Sequence, residues 1–134
     1  MREKTTKEIG QKGERIAARF LRRKGYRIIA KNRHFGKNEL DLIVKNKQYI
    51  VFVEVKTRTA NSLEEFSSRP SDAVDYEKRR RTVRASIAYL KENYTALCPR
   101  FDVIEVYLDR TKRYRTLKIH HIVDAFSSSG TTRH

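Results

Sequence analysis

Two apolar blocks separated by a short polar break dominate the first half of the chain: ELDLIVK at residues 39–45 and YIVFVEVKTR at residues 49–58, with Asn46, Lys47 and Gln48 between them. Short Val- and Ile-rich blocks bounded by polar residues predict strands, and a three-residue break between them predicts a hairpin. A hairpin makes the two strands neighbours, which limits what can face what. Side chains two apart on a strand share a face, so Glu54 and Lys56 lie on the same side of an otherwise apolar strand. Asp41, flanked by Leu40 and Leu42, comes across from or diagonal to that face. Whatever this chain folds into must carry two carboxylates and an ammonium on a hydrophobic sheet.

The flanking sequence supplies the rest of the sheet. Residues 5 to about 24 place Ile9, Gly13, Ile16, Ala17, Phe20 and Leu21 at helical spacing, and Gly25 stands where a C-terminal cap belongs. YRIIAKNRHF (26–35) predicts a strand before the turn GKN. After residue 58, TANSLEEFSSRPSD predicts a polar loop, with Pro70 in the first turn of a second helix over about 71–93. Val83, Ile87, Leu90 and Tyr94 mark the apolar stripe of that helix. Past Pro99, taken as a breaker, RFDVIEVYLD predicts a fourth strand, YRTLKIHHI predicts a fifth, and VDAF closes the domain. The order is that of an α/β domain with an αβββαβ core, a mixed sheet with helices packed on it. One domain is expected over residues 1–126, with 127–134 as a disordered polar tail.

Charge narrows the partners. The chain of 134 residues carries 31 Lys and Arg against 16 Asp and Glu, a net charge of +15. That balance predicts a polyanion-binding surface, with nucleic acid as the partner. A membrane partner is not expected: there is no basic amphipathic helix with Trp, and no apolar run near the roughly 18 residues that would span a bilayer. Cys98 is the single cysteine, so there is no internal disulfide. With four His and no CxxC pair, a Cys/His zinc site lacks ligands. MREKTTKEIG holds no apolar signal region, so the cytoplasm is the expected compartment. The GxSxG, Walker A and GxGxxG patterns are absent.

Two accounts of the charged strand face remain open at this level. Lys56 forms a salt bridge with Glu54 or Asp41 at a sheet edge; or Asp41 and Glu54 bind a divalent cation. Burying isolated carboxylates costs several kcal/mol or more unless they are paired or bind a cation. Two carboxylates with a backbone carbonyl and waters suit Mg²⁺ or Mn²⁺, and a nearby Lys would orient or deprotonate an attacking water or neutralise a phosphate. Glu14, at the edge of the first helix's apolar face, is either a further carboxylate for that site or a surface charge. Glu39 shares a face with Asp41 and reads first as an exposed edge charge. Arg58 is a phosphate contact or a surface group. Lys78, Arg79, Arg80 and Arg81 form a basic run expected to contact the DNA backbone. Tyr26, Phe52, Tyr89 and Phe101 are expected in the core, His34 in a loop before Asp41, and His120 and His121 lack metal-ligand partners.

Asp41, then twelve residues, then Glu54-Val55-Lys56 resembles the PD-(D/E)XK nuclease signature, with Leu40 in place of the usual Pro before the Asp. GxxGERIAARFLRRKGYRII, ELDLIV, VFVEVKTR, AVDYEKRRR and RFDVIEV are similar, in order and spacing, to the YraN-like family of small bacterial proteins, over about residues 10–126. That family is regarded as one of predicted endonucleases related to archaeal Holliday junction resolvases. Asn38 departs from the Gly usual at its position. The resemblance implies a restriction-endonuclease-like fold, in which Glu14, Asp41, Glu54 and Lys56 converge at a sheet edge. It implies Asp41 and Glu54 as Mg²⁺ or Mn²⁺ ligands, Lys56 as the group positioning the nucleophilic water, and Glu14 as an outer or second-metal ligand. The implied activity is hydrolysis of DNA phosphodiester bonds, with branched DNA as one substrate and a homodimer as one assembly. A non-catalytic nucleic-acid-binding protein on the same fold is the alternative.

Overall fold

The computed structural model describes residues 3–62, 64–65 and 76–129. Helix α1 spans Thr6–Arg23. Thr5 fixes its start: the hydroxyl accepts from the Glu8 amide at 3.1 Å, and the Glu8 carboxylate accepts from the Thr5 amide at 3.1 Å. Gly25 fixes its end. A φ of 95° there lets the Tyr26 amide turn back to the Leu21 carbonyl at 3.0 Å.

Strands β1 (Arg27–Phe35), β2 (Asn38–Lys45) and β3 (Tyr49–Ala60) follow as an antiparallel meander. Helix α2, described over Tyr76–Glu92, returns the chain so that β4 (Cys98–Asp109) lies parallel to β3. Strand β5 (Arg115–Phe126) pairs antiparallel with β4, giving the order β1-β2-β3-β4-β5. This is an α/β architecture, a five-stranded mixed sheet with helices α1 and α2 packed on it, compatible with a restriction-endonuclease-like fold. Among the described residues no helix is long and apolar enough to cross a membrane.

The alternation of β3 divides the core. Val51 and Val53 face α1, with Leu42, Val44, Ile104 and Val106, against Ala17, Ala18 and Leu21. Ile50 and Phe52 face α2, with Leu40, Ile43, Phe101 and Val103, against Val83, Ala85 and Tyr89. Each fully buried Val, Leu, Ile or Phe contributes about 1.5–3 kcal/mol of transfer free energy. Phe52, Tyr89 and Phe101 are buried as expected, and Tyr26 is half-buried.

Several boundaries differ from expectation. Strand β3 continues through Thr59 and Ala60, two residues into the expected loop, because each has a partner on β4. Pro99 lies inside β4. The Cys98 amide donates to the Gln48 carbonyl on the β3 side at 3.0 Å, so the next position turns its nitrogen away from β3. The β4–β5 ladder begins only at Phe101 and Phe126, so the missing proline donor costs no sheet bond. VDAF is strand, and Phe126 is fully buried. The α2 stripe holds only in part: Val83 is buried and Leu90 packs on the core, but Ile87 is 50% exposed, and Tyr94, 93% exposed, lies past the helix end at Glu92. The inward face instead includes Thr82, Ala85, Ser86 and Tyr89. Small side chains there let the helix approach the sheet. Pro70, residues 71–75 of the expected helix, and residues 130–134 of the expected tail lie outside the described residues.

Candidate functional site

The site begins where a ladder stops. Strands β2 and β3 pair only from Lys45 and Ile50 to Leu42 and Val53, although both strands continue. Asp41 is the first residue past the last pair. Its Oδ2 accepts the Val55 N–H at 2.9 Å, so an amide without a β2 carbonyl is satisfied by a carboxylate.

Helix α1 delivers Glu14 to the same fork. Gly13 is buried against β3, and a Cβ there would come within 2.9 Å of both Cβ and Cγ2 of Thr57. The absent side chain lets the helix lie close, and the next residue then reaches the gap. The result is a notch of about 270 Å³ whose lining includes Glu14, Glu39, Asp41, Thr57 and Lys78. Glu39, read first from sequence as an edge charge, is exposed and also borders the notch. Asn32 stands beside it with φ of 49°. Assigned with its nitrogen toward the acids, its amide donates to Glu14 Oε2 at 2.7 Å and Glu39 Oε1 at 3.2 Å.

The carboxylates raise one another's proton affinity. Burial, then the charges of Asp41 and Glu39, push the Glu14 carboxyl up to about 7, with Lys31 opposing. Burial also pushes Asp41 above the ordinary range. The Val55 amide and Lys78 pull it down, and Glu39 and Glu54 add to the upward push. A notch whose negative potential outweighs these lysines favours a cation or a proton.

Glu54 is buried at 4% exposure, and its Oε1 lies 3.0 Å from Lys78 Nζ. Lys56 follows Glu54 on the α2 side of β3, half-buried, with Glu105 as its neighbour in the parallel ladder; it does not line the notch. The structure thus lines one notch with Glu14, Glu39 and Asp41, and the ammonium there is Lys78, which pairs with Glu54. The sequence pattern had put Lys56 in that place. Among the described residues no three His, Cys, Asp or Glu side chains are grouped as a ready-made metal-ligand set.

The other basic positions disperse. Arg58 is half-buried on β3. The Arg79 guanidinium packs 5.1 Å from the Phe126 ring centroid. Arg80 is exposed, and Arg81 is exposed with its Nη1 3.9 Å from Glu77. His34 is on strand β1 rather than in a loop, paired with Glu39 and exposed.

Sequence reasoning missed a second charged centre. Asp102, fully buried, accepts from Arg100 Nε at 2.9 Å and Nη2 at 2.8 Å, and from the Asp124 amide at 2.9 Å. Lys24 Nζ lies 2.9 Å from His121 Nδ1. An ammonium only donates, so the ring proton of a neutral His121 sits on Nε2 and is given to Asp102 at 2.7 Å. Burial pushes the Asp102 carboxyl up, but hydrogen bonds from His121, Arg100 and Asp124 outweigh it and hold the group below the usual range. Arg100 also donates to the Tyr26 hydroxyl at 2.6 Å. This network ties the β4–β5 pair to the end of α1. Its signal in the sequence is Arg100 and Asp102 two apart in an apolar strand, the same i, i+2 pattern as Glu54 and Lys56.

The model of the uncharacterised protein family UPF0102 matches residues 13–106, a span that contains Glu14, Asp41, Glu54, Lys56 and Lys78. A UPF0102 protein of Caldanaerobacter subterraneus is 44% identical over 128 residues, covering 94% of this chain and 100% of the relative. One from Nitratidesulfovibrio vulgaris is 44% identical over 124 residues, 91% of this chain and 86% of the relative. One from Chlorobium chlorochromatii is 40% identical over 124 residues, 91% and 93% of the two chains. The chain belongs to the uncharacterised protein family UPF0102, the YraN family that its motifs resemble.

Proposed function

We propose that the protein is a metal-dependent endonuclease that hydrolyses DNA phosphodiester bonds at the β2–β3 fork. One observation carries this: Glu14, Glu39, Asp41 and Lys78 line a single notch, and Lys78 pairs with the buried Glu54 at 3.0 Å, in a chain of net charge +15. The donor set is all carboxylate oxygen, which suits Mg²⁺ or Mn²⁺. Asp41 and Glu54 would hold the ion, with Glu14 as an outer ligand. Asp41 has Oδ1 left after its Oδ2 accepts from Val55. When bound, such an ion lowers the pKa of a water and neutralises charge on a phosphate.

The chain's own groups supply the remainder. Val55 holds Asp41 in one orientation. Lys78 fixes Glu54 and places a positive charge where a phosphate oxygen gains negative charge. Glu14, its carboxyl pushed up to about 7 by burial and by Asp41 and Glu39, would give up its proton as the notch takes up a cation. Lys56 is the water-positioning group that the resemblance implies; the geometry favours Lys78 for that part. The basic surface, including Arg58 and Arg79 to Arg81, holds the phosphate backbone. The test is incubation with four-way junction, flap and duplex DNA in Mg²⁺ or Mn²⁺. Cleavage that needs the metal and is lost in Asp41→Asn and Glu54→Gln supports the proposal. No cleavage of any substrate, or full cleavage by both variants, overturns it.

A second reading has its own observation in favour. Glu54 is already neutralised by Lys78 at 3.0 Å, as in a protein that binds nucleic acid without cutting it. Calorimetric titration with Mn²⁺ weighs the two: binding that disappears in Asp41→Asn counts against the non-catalytic protein.

A further inference from the structure

A second concavity, of about 740 Å³, lies at the opposite end of the hairpin, between the α1–β1 corner and the β2–β3 turn. Gly25, Arg27, Lys45, Asn46, Lys47 and Gln48 line it, three of them cationic and none acidic. Arg22 and Arg23, both exposed, occupy the last turn of α1 just before this corner.

These charges are held together at a cost. Arg27 and Lys45 are Cα partners across the β1–β2 ladder, and like charges directly opposed destabilise a sheet. The core gains nothing from the pairing, since Arg27 is exposed and Lys45 only half-buried. The frame beneath them is fixed. Asn46 Oδ1 accepts from the Gln48 and Tyr49 amides at 2.9 and 2.8 Å, and the Asn46 amide donates to the Tyr49 carbonyl at 3.0 Å. The Phe20, Leu21 and Arg22 carbonyls in the last turn of α1, which would repel an anion, are engaged by the Lys24, Gly25 and Tyr26 amides. A groove whose cations repel one another, on an ordered turn, is relieved by a polyanion.

We infer that this groove binds the phosphate backbone of a nucleic-acid duplex, apart from the carboxylate notch. The inference rests on the nucleic-acid part of the proposed function and not on cleavage. Tyr49, next in sequence to Gln48 of the groove, and Val55 at the notch lie on one strand, about 20 Å apart at roughly 3.3 Å per residue. At about 3.4 Å per base pair, a duplex laid from notch to groove spans about six base pairs. The protein then grips one duplex at two places, and the groove sets the direction in which it leaves the notch.

The test is fluorescence anisotropy with a duplex of about 24 base pairs, in EDTA, over a series of salt concentrations. Each neutralised phosphate contributes about 0.9 to the slope of log K against log salt. The triple variant Arg27→Gln/Lys45→Gln/Lys47→Gln is expected to flatten that slope by about 2–3. Its melting temperature is expected to equal or exceed that of wild type, because the Arg27–Lys45 repulsion is gone. Lys47→Glu, a single exposed change at the turn, is expected to weaken binding at least several-fold at low salt and covers the case in which the triple variant folds poorly. Wild-type slope and affinity in both variants, or no duplex binding by the wild type, overturns the inference. A wild type that binds with a groove-dependent slope yet cuts nothing overturns the nuclease proposal alone.

Discussion

Asp41 Oδ2 accepts the Val55 N–H at 2.9 Å across the gap where β2 and β3 part. The bond makes Asp41 part of the fold as well as of the site. Asp41→Asn keeps an oxygen for that amide and removes a charge from a crowded notch. It is expected to be at least as stable as wild type in urea titrations carried out in EDTA. Asp41→Ala leaves the amide unpaired and is expected to lose about 1–3 kcal/mol. Both variants are expected to lose Mn²⁺ binding, so stability and function separate in one pair of proteins.

The two lysines near Glu54 are predicted to behave differently. Lys78→Met strands the buried Glu54 carboxylate, at a cost of about 1–3 kcal/mol. If cleavage is observed, it should also lower kcat by about 100-fold. Lys56→Met should change stability by less than about 1 kcal/mol, because it leaves the Glu54–Lys78 contact intact. Chemical denaturation and single-turnover cleavage of both variants check this. A larger loss of rate in Lys56→Met would restore Lys56 to the role that the resemblance implies.

Glu14 sets a pH dependence. Its carboxyl is raised from 4.5 to about 7, so the folded state binds the proton more tightly than the unfolded chain. Stability from this group is therefore full below about 4.5 and falls as pH rises through 7. Glu14→Gln mimics the protonated form. In EDTA its melting temperature is expected to exceed that of wild type at pH 8, with the gap closing at pH 5. A gap of equal size at both pH values would show that Glu14 is not perturbed.

Gly13 is predicted to be intolerant of any side chain. Gly13→Ala drives a methyl into Thr57, and overpacking of this kind costs about 1–3 kcal/mol. Because α1 must then rise from β3, Glu14 also withdraws from the notch. Thr57→Ala in the same chain is expected to recover part of the loss, measured as the coupling in a double-mutant cycle.

Much of the fold was legible because its signals are local. The ELDLIVK and YIVFVEVKTR blocks with NKQ between them specify a hairpin by their own pattern, and a hairpin brings Asp41 near Glu54 wherever the rest of the chain goes. What was not legible depends on distant partners. The end of the β2–β3 ladder decides which lysine faces the carboxylates, and nothing in ExK records it. The inward face of α2 is built from Thr82, Ala85 and Ser86, which a search for large apolar residues passes over. Ile87 fits a helical period and yet points outward, and Tyr94 lies past the end of the helix. The Arg100–Asp102 pair could not be assembled from sequence, because His121 and Tyr26, which complete its network, come from far along the chain.

The parallel pairing of Tyr49–Ala60 with Cys98–Asp109 has a consequence for the order of assembly. The meander β1–β2–β3 closes over short loops, and hairpins form in about 1–10 μs. The β3–β4 pair must wait for the crossover that carries α2, a larger loop with a larger closure entropy. Lys78 rides on that crossover. We hypothesise that Lys78→Met speeds unfolding and leaves the refolding rate unchanged, a φ-value near zero in a chevron experiment; a value near one would reverse the order. On that order the acids are gathered first, hydrated and mutually repelling. The step that completes the molecule is also the one that dries Glu54 and hands it a counter-charge.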